Sequence, residues 1–192
     1  PLMMKMENAF VLRILNQHFL TDDLTEPCSH GQILLVAGGR VIANEDDGNW
    51  VINEAALSLM RTVRYGFPNP DVPPPRYYPQ GFREETLINC CGAYMMFCPT
   101  NITWHVRHTG DGHVLLSHFT KHDVPVEEGL QVRLPLRQYA RIILDFAEAA
   151  KAFFEGKAVD ARGWEHFEGQ YGLFWEEYEE HLNHIRKIVC SE

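Results

Sequence analysis

Long apolar runs and an excess of basic residues are both missing from this sequence. No stretch reaches the roughly 18 consecutive apolar residues that a membrane-spanning helix needs. Lys and Arg number 17 against 26 Asp and Glu, which gives a net charge of -9. Nucleic acids and anionic membranes are bound through basic patches, so we expect neither as a partner. Residues 1–15 contain no small-residue cleavage site after a long apolar run, and we therefore expect a cytoplasmic protein.

Cysteine pairs at metal-binding or redox spacing are also missing. The five cysteines are Cys28, Cys90, Cys91, Cys98 and Cys190, and no Cys-x-x-Cys pair occurs among them. An odd count with one adjacent pair argues against a secreted disulfide framework, and the spacing gives no support to a zinc ribbon or a thioredoxin-like site. We expect five reduced thiols that are mostly buried, and no bound cofactor.

Recognisable catalytic motifs are absent as well. The pair Gly38-Gly39 lacks the Gly-Lys-Ser/Thr or Gly-x-Gly-x-x-Gly context of a phosphate-binding loop. Neither Ser29 nor Ser117 lies in a Gly-x-Ser-x-Gly nucleophile elbow, and no His-Glu-x-x-His sequence occurs. These absences favour a protein that binds rather than catalyses.

Turn residues divide the apolar stretches into short strands. Phe10, Leu12 and Ile14 alternate with Arg13 in a first strand, for which a helix is the alternative. Two apolar runs flank Gly38-Gly39 as a hairpin. Further strands are expected in 85–98 (ETLINCCGAYMMFC, one buried strand), in 102–120 (a hairpin) and in 130–136.

Helical periodicity and terminal signals predict three helices. Asn53 is a candidate N-cap for the first helix, and Gly66 is its stop. The other two are expected at residues 137–155 and 164–189. Gly169 and Gly172 weaken the first half of the last one, and the alternative is a regular helix that begins near Leu173. Six prolines in FPNPDVPPPRYYPQG make residues 67–80 an extended, exposed segment or a mobile loop.

The order of these elements predicts a single α+β domain over residues 1–192. We expect an antiparallel sheet of hairpins packed against two to three helices. Its core should contain apolar residues of the 102–120 hairpin, the next strand and the next helix. These residues are Trp104, Val106, Leu115, Phe119, Leu134, Ile142, Ile143, Phe146 and Phe153.

Four histidines lie in the stretch TWHVRHTGDGHVLLSH. With a two-residue turn at Asp111-Gly112, His105 faces His118 directly, and two opposed imidazoles can ligate zinc or a similar ion. With a four-residue loop, His105 faces Leu116 instead and the site is lost. Catalysis would also need a third ligand. The candidates are His30, His122 and Asp123, and the spacing does not distinguish among them.

Acidic residues cluster in the turn EDDGN and along the last helix, where glutamates flank an apolar stripe. A solvated acidic face of this kind is a candidate docking surface for a basic protein partner, with nearby aromatic residues as anchors. The residues expected to contact the partner are Glu45, Asp46, Asp47, Trp50, Trp175, Glu176, Glu177 and Glu180.

Four segments follow one another over roughly residues 28–155: EPCSHGQILLVAGGRVI, WVINEAALSLMRTV, NITWHVRHTGDGHVLLS and VRLPLRQYARIILDFAEAAKAFF. Their layout resembles that of small bacterial immunity proteins of polymorphic toxin systems and their uncharacterised relatives. The resemblance implies a cytosolic protein that neutralises a toxin by contact, without chemistry. It transfers no functional residues, since binding surfaces vary within such families.

The leading hypothesis is therefore a non-catalytic cytosolic binding protein with a basic partner. One alternative is a metal-dependent enzyme with its histidine site on the 102–120 hairpin. Another is a small-ligand-binding domain with a pocket beside Trp104 and Tyr94. The sequence leaves the oligomeric state open.

Overall fold

The computed structural model describes residues 9–191, so residues 1–8, which contribute to the cytoplasmic expectation, lie outside the described residues. The strands are β1 (Phe10–Ile14), β2 (His30–Gly31), β3 (Ile33–Ala37), β4 (Arg40–Ala43), β5 (Trp50–Val51), β6 (Ile88–Asn89), β7 (Asn101–His108), β8 (His113–Lys121), β9 (Val124–Pro125) and β10 (Gln131–Pro135). The helices are α1 (Ile52–Tyr65), α2 (Leu136–Ala152) and α3 (Gln170–Cys190). None of these helices is long and apolar enough to cross a membrane.

The strands form three antiparallel sheets, and together with the helices they confirm the predicted α+β class. The first sheet has the order β1-β3-β4. The largest has the order β10-β8-β7-β6, with β9 paired on β8. β2 and β5 form a short third sheet. The expected first strand, both hairpins and the strand that ends at Pro135 are confirmed.

Alternating apolar residues produce the first sheet. Phe10 and Leu12 are buried, while Arg13 points to the opposite face and is exposed. Phe10 pairs with Ala37 at the end of β3, next to the turn into β4. That turn uses Gly38-Gly39 at φ values of 56° and 83°. Glycine is favoured there because a Cβ disfavours this left-handed backbone.

One hydrophobic core joins the sheets and the helices. Trp104 is fully buried, with its ring 5.7 Å from Phe10 and 5.9 Å from Phe119 between centroids. Burial confirms the expected core positions Trp104, Val106, Phe119, Leu134, Ile143 and Phe146. The expectation is wrong for Leu115, Ile142 and Phe153, which are only partly buried. In β8 the observed register turns Val114 and Leu116 toward the core and Leu115 away from it.

The proline-rich segment 67–80 is packed onto the helices, so the expectation of an exposed or mobile segment is wrong for its inner residues. Tyr77 is fully buried within it. Arg61 of α1, only 6% exposed, donates a hydrogen bond to the Pro73 carbonyl at 2.5 Å. The same guanidinium donates to Glu177 of α3 at 2.5 Å. One buried cation therefore fastens the segment to two helices.

Two helix starts differ from the prediction. The buried side chain of Asn53 is not an N-cap. It donates to the Pro27 carbonyl at 2.9 Å and accepts from the Ser29 N–H at 3.0 Å, which ties a preceding loop to α1. Helix α3 begins at Gln170, between the two predicted starts, because Gly169 has left-handed backbone with φ 83°.

Replacing Arg61 with Met should lower the free energy of unfolding by about 3–5 kcal/mol, because Glu84 and Glu177 would lose the cation that pairs with them in the interior. Urea unfolding followed by circular dichroism measures the loss. The matched control is Arg186→Met, which breaks an exposed pair with Glu148 and should cost less than about 1 kcal/mol. Equal losses in the two variants would contradict the fastening role of Arg61.

Candidate functional site

The cysteine-rich segment between β6 and β7 is a folded loop rather than the single buried strand predicted for it. Strand pairing stops after Asn89 and resumes at Asn101, its partner in the ladder. Between them lies a short 3-10 helix, Ala93–Met95. Met96 and Phe97 follow in left-handed backbone, with φ values of 60° and 59°. These two residues turn the chain back toward the start of the loop.

Three thiols meet at the base of this loop. Cys90 Sγ lies 2.7 Å from Cys98 Sγ and 3.7 Å from Cys91 Sγ, and all three sulfurs lie within 4.8 Å of one another. The Cys90 N–H donates to the Thr100 carbonyl at 3.1 Å, which closes the loop behind the sulfurs. All three side chains are half-buried. Within residues 9–191, no other group of three or more His, Cys, Asp or Glu ligand atoms lies so close together.

A buried carboxylate fixes the course of this loop. Glu54, in the first turn of α1, accepts a hydrogen bond from the Ala93 N–H at 2.8 Å. It also accepts from the Tyr77 hydroxyl at 2.9 Å and from the Cys28 thiol at 3.3 Å. A Cβ at Gly92 would overlap this carboxylate, so glycine is required for the close approach. The thiol loop is thereby attached to α1.

The three thiols differ in acidity. Partial burial, together with hydrogen bonds to Cys98 and Cys91, raises the pKa of Cys90 to about 12. Burial also raises the pKa of Cys91. Partial burial opposes ionisation of Cys98 too, but the hydrogen bond from Cys90 and a backbone contact with Thr100 outweigh it and lower the Cys98 pKa. Cys98 is therefore the most acidic thiol of the cluster, and Cys90 keeps its proton.

A polar cavity of about 440 Å³ adjoins Cys98. Thr86, Asn89, Asn101 and Asp123 contribute to its walls. Asn101 is 3% exposed, and its amide N–H donates to Asp123 at 3.1 Å. Its Oδ1 has no hydrogen-bond partner among the described residues. The cavity thus places an unused buried acceptor near a thiol.

This cluster could not be predicted from cysteine spacing, because no Cys-x-x-Cys pair links its members. All five cysteines are free thiols. Only Cys28 is buried, so the expectation that most of them are buried is wrong. The one available signal was the adjacent pair Cys90-Cys91 followed by Cys98, in a segment where Gly92 permits a turn.

His105 and His118 are brought together, although neither predicted register is observed. His105 pairs with Ser117, and a β-bulge opposite Trp104 lets His118, at φ 54°, turn its ring onto His105. The two rings stack with centroids 4.4 Å apart. The three candidate third ligands, His30, His122 and Asp123, do not complete a metal-binding group with this pair in the part of the chain that the structure describes. The histidine metal site stays a prediction with two ligands.

Four of the residues expected to contact a basic partner lie on the surface or close to it. Glu45, Asp46 and Glu176 are exposed. Asp47 is half-buried and pairs with the Lys121 ammonium at 2.5 Å. The acidic turn therefore keeps two outward carboxylates, while its third is neutralised from within the protein.

Two of the expected contact residues are buried. A docking contact must be exposed, so the expectation that these two contact a partner at the surface is wrong. Trp50 is 1% exposed and stacks on His122, with centroids 6.1 Å apart. Glu177 is 4% exposed and pairs with Arg61. Each is covered by residues distant in the sequence, which a local pattern does not reveal.

The last two expected contact residues already contact other residues of this protein. Glu180 is exposed, but it pairs with Arg64 and Arg76, both at 2.9 Å. Trp175 is half-buried, with its ring centroid 5.0 Å from that of Phe154. The acidic face of the last helix is therefore less charged and less open than its sequence suggests.

Tyr94 and Trp104, which were expected to flank a ligand pocket, are both buried in the core. The Tyr94 ring lies 5.8 Å from that of Tyr77, and Trp104 packs against Phe10 and Phe119. A ligand could contact these two rings only if the core opened.

No protein-family profile matches this chain, and neither a curated protein nor a solved structure matches it. The resemblance in layout to immunity proteins stays a prediction. The function must be inferred from the chemistry of the chain's own residues.

Glu54→Gln should change how stability depends on pH. Burial raises the pKa of Glu54 above its ordinary value of 4.5, although hydrogen bonds from Tyr77 and Cys28 oppose the rise. An acid whose pKa is raised by folding stabilises the protein fully below its unfolded pKa, and this stabilisation is lost as the pH rises through the folded pKa. Gln cannot ionise, so the variant should gain stability relative to wild type as the pH rises above 4.5 and through the raised pKa of Glu54.

Urea unfolding at several pH values across that window measures this difference. Glu45→Gln, at an exposed position, is the matched control and should change stability by less than about 0.5 kcal/mol at every pH. Parallel stability profiles for wild type and Glu54→Gln would contradict the assignment of Glu54 as a buried carboxylate.

Proposed function

We propose that this protein binds a soft metal ion through the thiolates of Cys90, Cys91 and Cys98. The observation that carries the proposal is the gathering of three sulfurs within 4.8 Å of one another in a half-buried loop. Thiolates favour Cu(I) and Zn(II), whereas Mg²⁺ and Ca²⁺ favour oxygen ligands. The donor set therefore supports one of the two softer ions.

The spacing of the sulfurs is compatible with one shared ion. A tetrahedral zinc ion with Zn–S bonds of about 2.3 Å separates two of its sulfurs by about 3.8 Å. Cys90 and Cys91 are already 3.7 Å apart. Cys98, now 2.7 Å from Cys90, would move outward as bonds to the ion replace the thiol hydrogen bond. It lies in irregular backbone, where such a movement disrupts no strand pairing.

Three protein ligands leave one position of a tetrahedral ion free. Structural zinc sites use four protein ligands, whereas sites with three keep a place for water or a small molecule. The polar cavity beside Cys98 would supply that occupant. A trigonal Cu(I) ion would need no fourth ligand, so the number of ligands on the bound ion separates the two cases.

Reduced protein should take up one equivalent of Zn²⁺ or Cu⁺, and serine in place of Cys90, Cys91 or Cys98 should weaken binding by about 100-fold. Zinc fingers bind zinc with a free energy of about 10–16 kcal/mol through four ligands, which is about 3 kcal/mol per ligand. Because about 1.4 kcal/mol changes the dissociation constant tenfold, losing one ligand should weaken binding by about 100-fold. Competition with a chromophoric chelator, with zinc and copper(I) in separate experiments, measures the affinities.

Cys190→Ser is the matched control, because it removes an exposed thiol outside the cluster, and it should bind metal like wild type. Failure to take up either ion would refute the proposal. So would equal affinities in the three cluster variants and in Cys190→Ser.

A second candidate function is the cytoplasmic binding of a basic protein, in the manner of an immunity protein, and one surface favours it. Val41 and Val124 are large apolar residues that are 59% and 63% exposed. Lys121 of β8 pairs with Val124 in the ladder, and its ammonium donates to the Ile42 carbonyl of β4 at 2.9 Å, next to Val41. The exposed acids at 45–46 follow the same β4 strand. Apolar residues beside acidic ones suit a partner with a basic rim.

Glu45→Lys combined with Asp46→Lys should slow association with such a partner by about tenfold at low salt and much less at high salt, since exposed charges are screened over about 10 Å at 0.1 M. The partner would be captured from extracts of the source cells, identified and purified, and its association measured by surface plasmon resonance. The matched control reverses two exposed acids elsewhere, Glu155→Lys with Glu168→Lys. Equal slowing in both double variants, or no identifiable partner, would contradict this second function.

A further inference from the structure

We propose that Cys98 and Cys90 form a reversible disulfide when a hydroperoxide reacts with the thiol cluster. This chemistry goes beyond the proposed metal binding, because it uses two of the three thiols and needs no bound ion. The disulfide would make the loop from Cys90 to Cys98 a site of oxidative modification, although the loop has no Cys-x-x-Cys spacing.

The two sulfurs are already close to bonding distance. They lie 2.7 Å apart, whereas a disulfide bond measures about 2.05 Å. The backbone keeps them together, because the Cys90 N–H bonds to the Thr100 carbonyl and Asn89 pairs with Asn101 just outside the loop. Cys91 is farther from Cys90, at 3.7 Å, and as its immediate neighbour in sequence it would have to close a small, strained ring. The geometry therefore selects Cys98 as the partner of Cys90.

Cys98 is the thiol that the oxidant would meet in the cavity. Its side chain lines the cavity of about 440 Å³, together with Thr86 and Asn101. The Thr86 hydroxyl already donates to Asn89 at 2.7 Å and has lone pairs left to accept another hydrogen bond. The cavity wall thus offers a hydrogen-bond acceptor to a small peroxide beside the reacting sulfur.

The reaction balances in two steps. In the first, the Cys98 thiolate attacks the distal oxygen of the hydroperoxide and the O–O bond breaks. The released alkoxide takes up a proton, and Cys98 becomes a sulfenic acid. In the second, Cys90 attacks the Cys98 sulfur, the S–O bond breaks, and water leaves with the Cys90 proton. Two thiols together lose two electrons, and one hydroperoxide is reduced to an alcohol and water.

The disulfide would leave Cys91 as a lone thiol. If the proposed metal binding holds, oxidation removes two of the three ligands and releases the ion. That consequence rests on the proposed function, whereas formation of the disulfide does not. The two proposals can therefore fail separately.

Hydrogen peroxide added to reduced, chelator-treated protein should join Cys90 to Cys98. Mass spectrometry of a non-reduced digest should find the peptide that contains the loop two hydrogens lighter, and dithiothreitol should reverse the change. Cys90→Ser should stop at a sulfenic acid on Cys98, trapped by dimedone. Cys91→Ser should still form the disulfide while losing metal affinity, which distinguishes failure of the redox proposal from failure of metal binding.

Cys190 provides an exposed internal reference in the wild-type chain, so the main readout needs no variant. Cys98 should be consumed at least about tenfold faster than Cys190, because it has a neighbouring thiol to resolve the sulfenic acid and a cavity that binds the oxidant. Equal rates at the two residues would overturn the proposal. A disulfide that maps to Cys91, or a sulfenic acid on wild-type Cys98 that never becomes a disulfide, would also overturn it.

Discussion

The buried carboxylate of Glu54 is the constraint on which the rest of the site depends. A buried polar group destabilises the fold unless hydrogen bonds satisfy it, and a charged one costs more. Three donors from separate parts of the chain satisfy this one: the Tyr77 hydroxyl, the Ala93 N–H and the Cys28 thiol. Each donor belongs to a segment with little regular structure, so each segment gains a fixed position on α1. The thiol cluster exists where it does because the loop that carries it is one of these segments.

Several charged side chains of this protein are buried in ion pairs that connect distant segments of the chain. Arg61 lies between Glu84 and Glu177 and also holds the proline-rich segment through the Pro73 carbonyl. Removing one partner of such a buried pair costs far more than removing an exposed one, because the remaining charge stays in the interior. The net charge of -9 therefore overstates how much acidic surface is open to a partner.

Elements with a regular apolar period could be predicted, because in β1, the β3–β4 hairpin and most of α2 the local pattern and the final burial agree. The cysteine loop could not, because Met96 and Phe97 adopt left-handed backbone that neither residue type signals, and their apolar run reads as a strand. Burial of Glu177 could not be predicted either, since it depends on Arg61, which is 116 residues away in the chain. The contact of the two stacked histidines on the β7–β8 hairpin was one of two alternatives that the sequence left open, and it arises from a bulge rather than from either expected register.

The central claim is that folding brings three thiols within reach of a single atom, and arsenite tests it without assuming a metal or an oxidant. Trivalent arsenic is thiophilic and condenses with three neighbouring thiols, releasing water. Native mass spectrometry of the reduced protein should show one arsenic per chain, and subsequent alkylation should spare Cys90, Cys91 and Cys98 while it labels the exposed Cys190. In urea, the protection of Cys98 should disappear. Alkylation of Cys98 as fast as Cys190 in the folded, arsenite-treated protein would contradict the account.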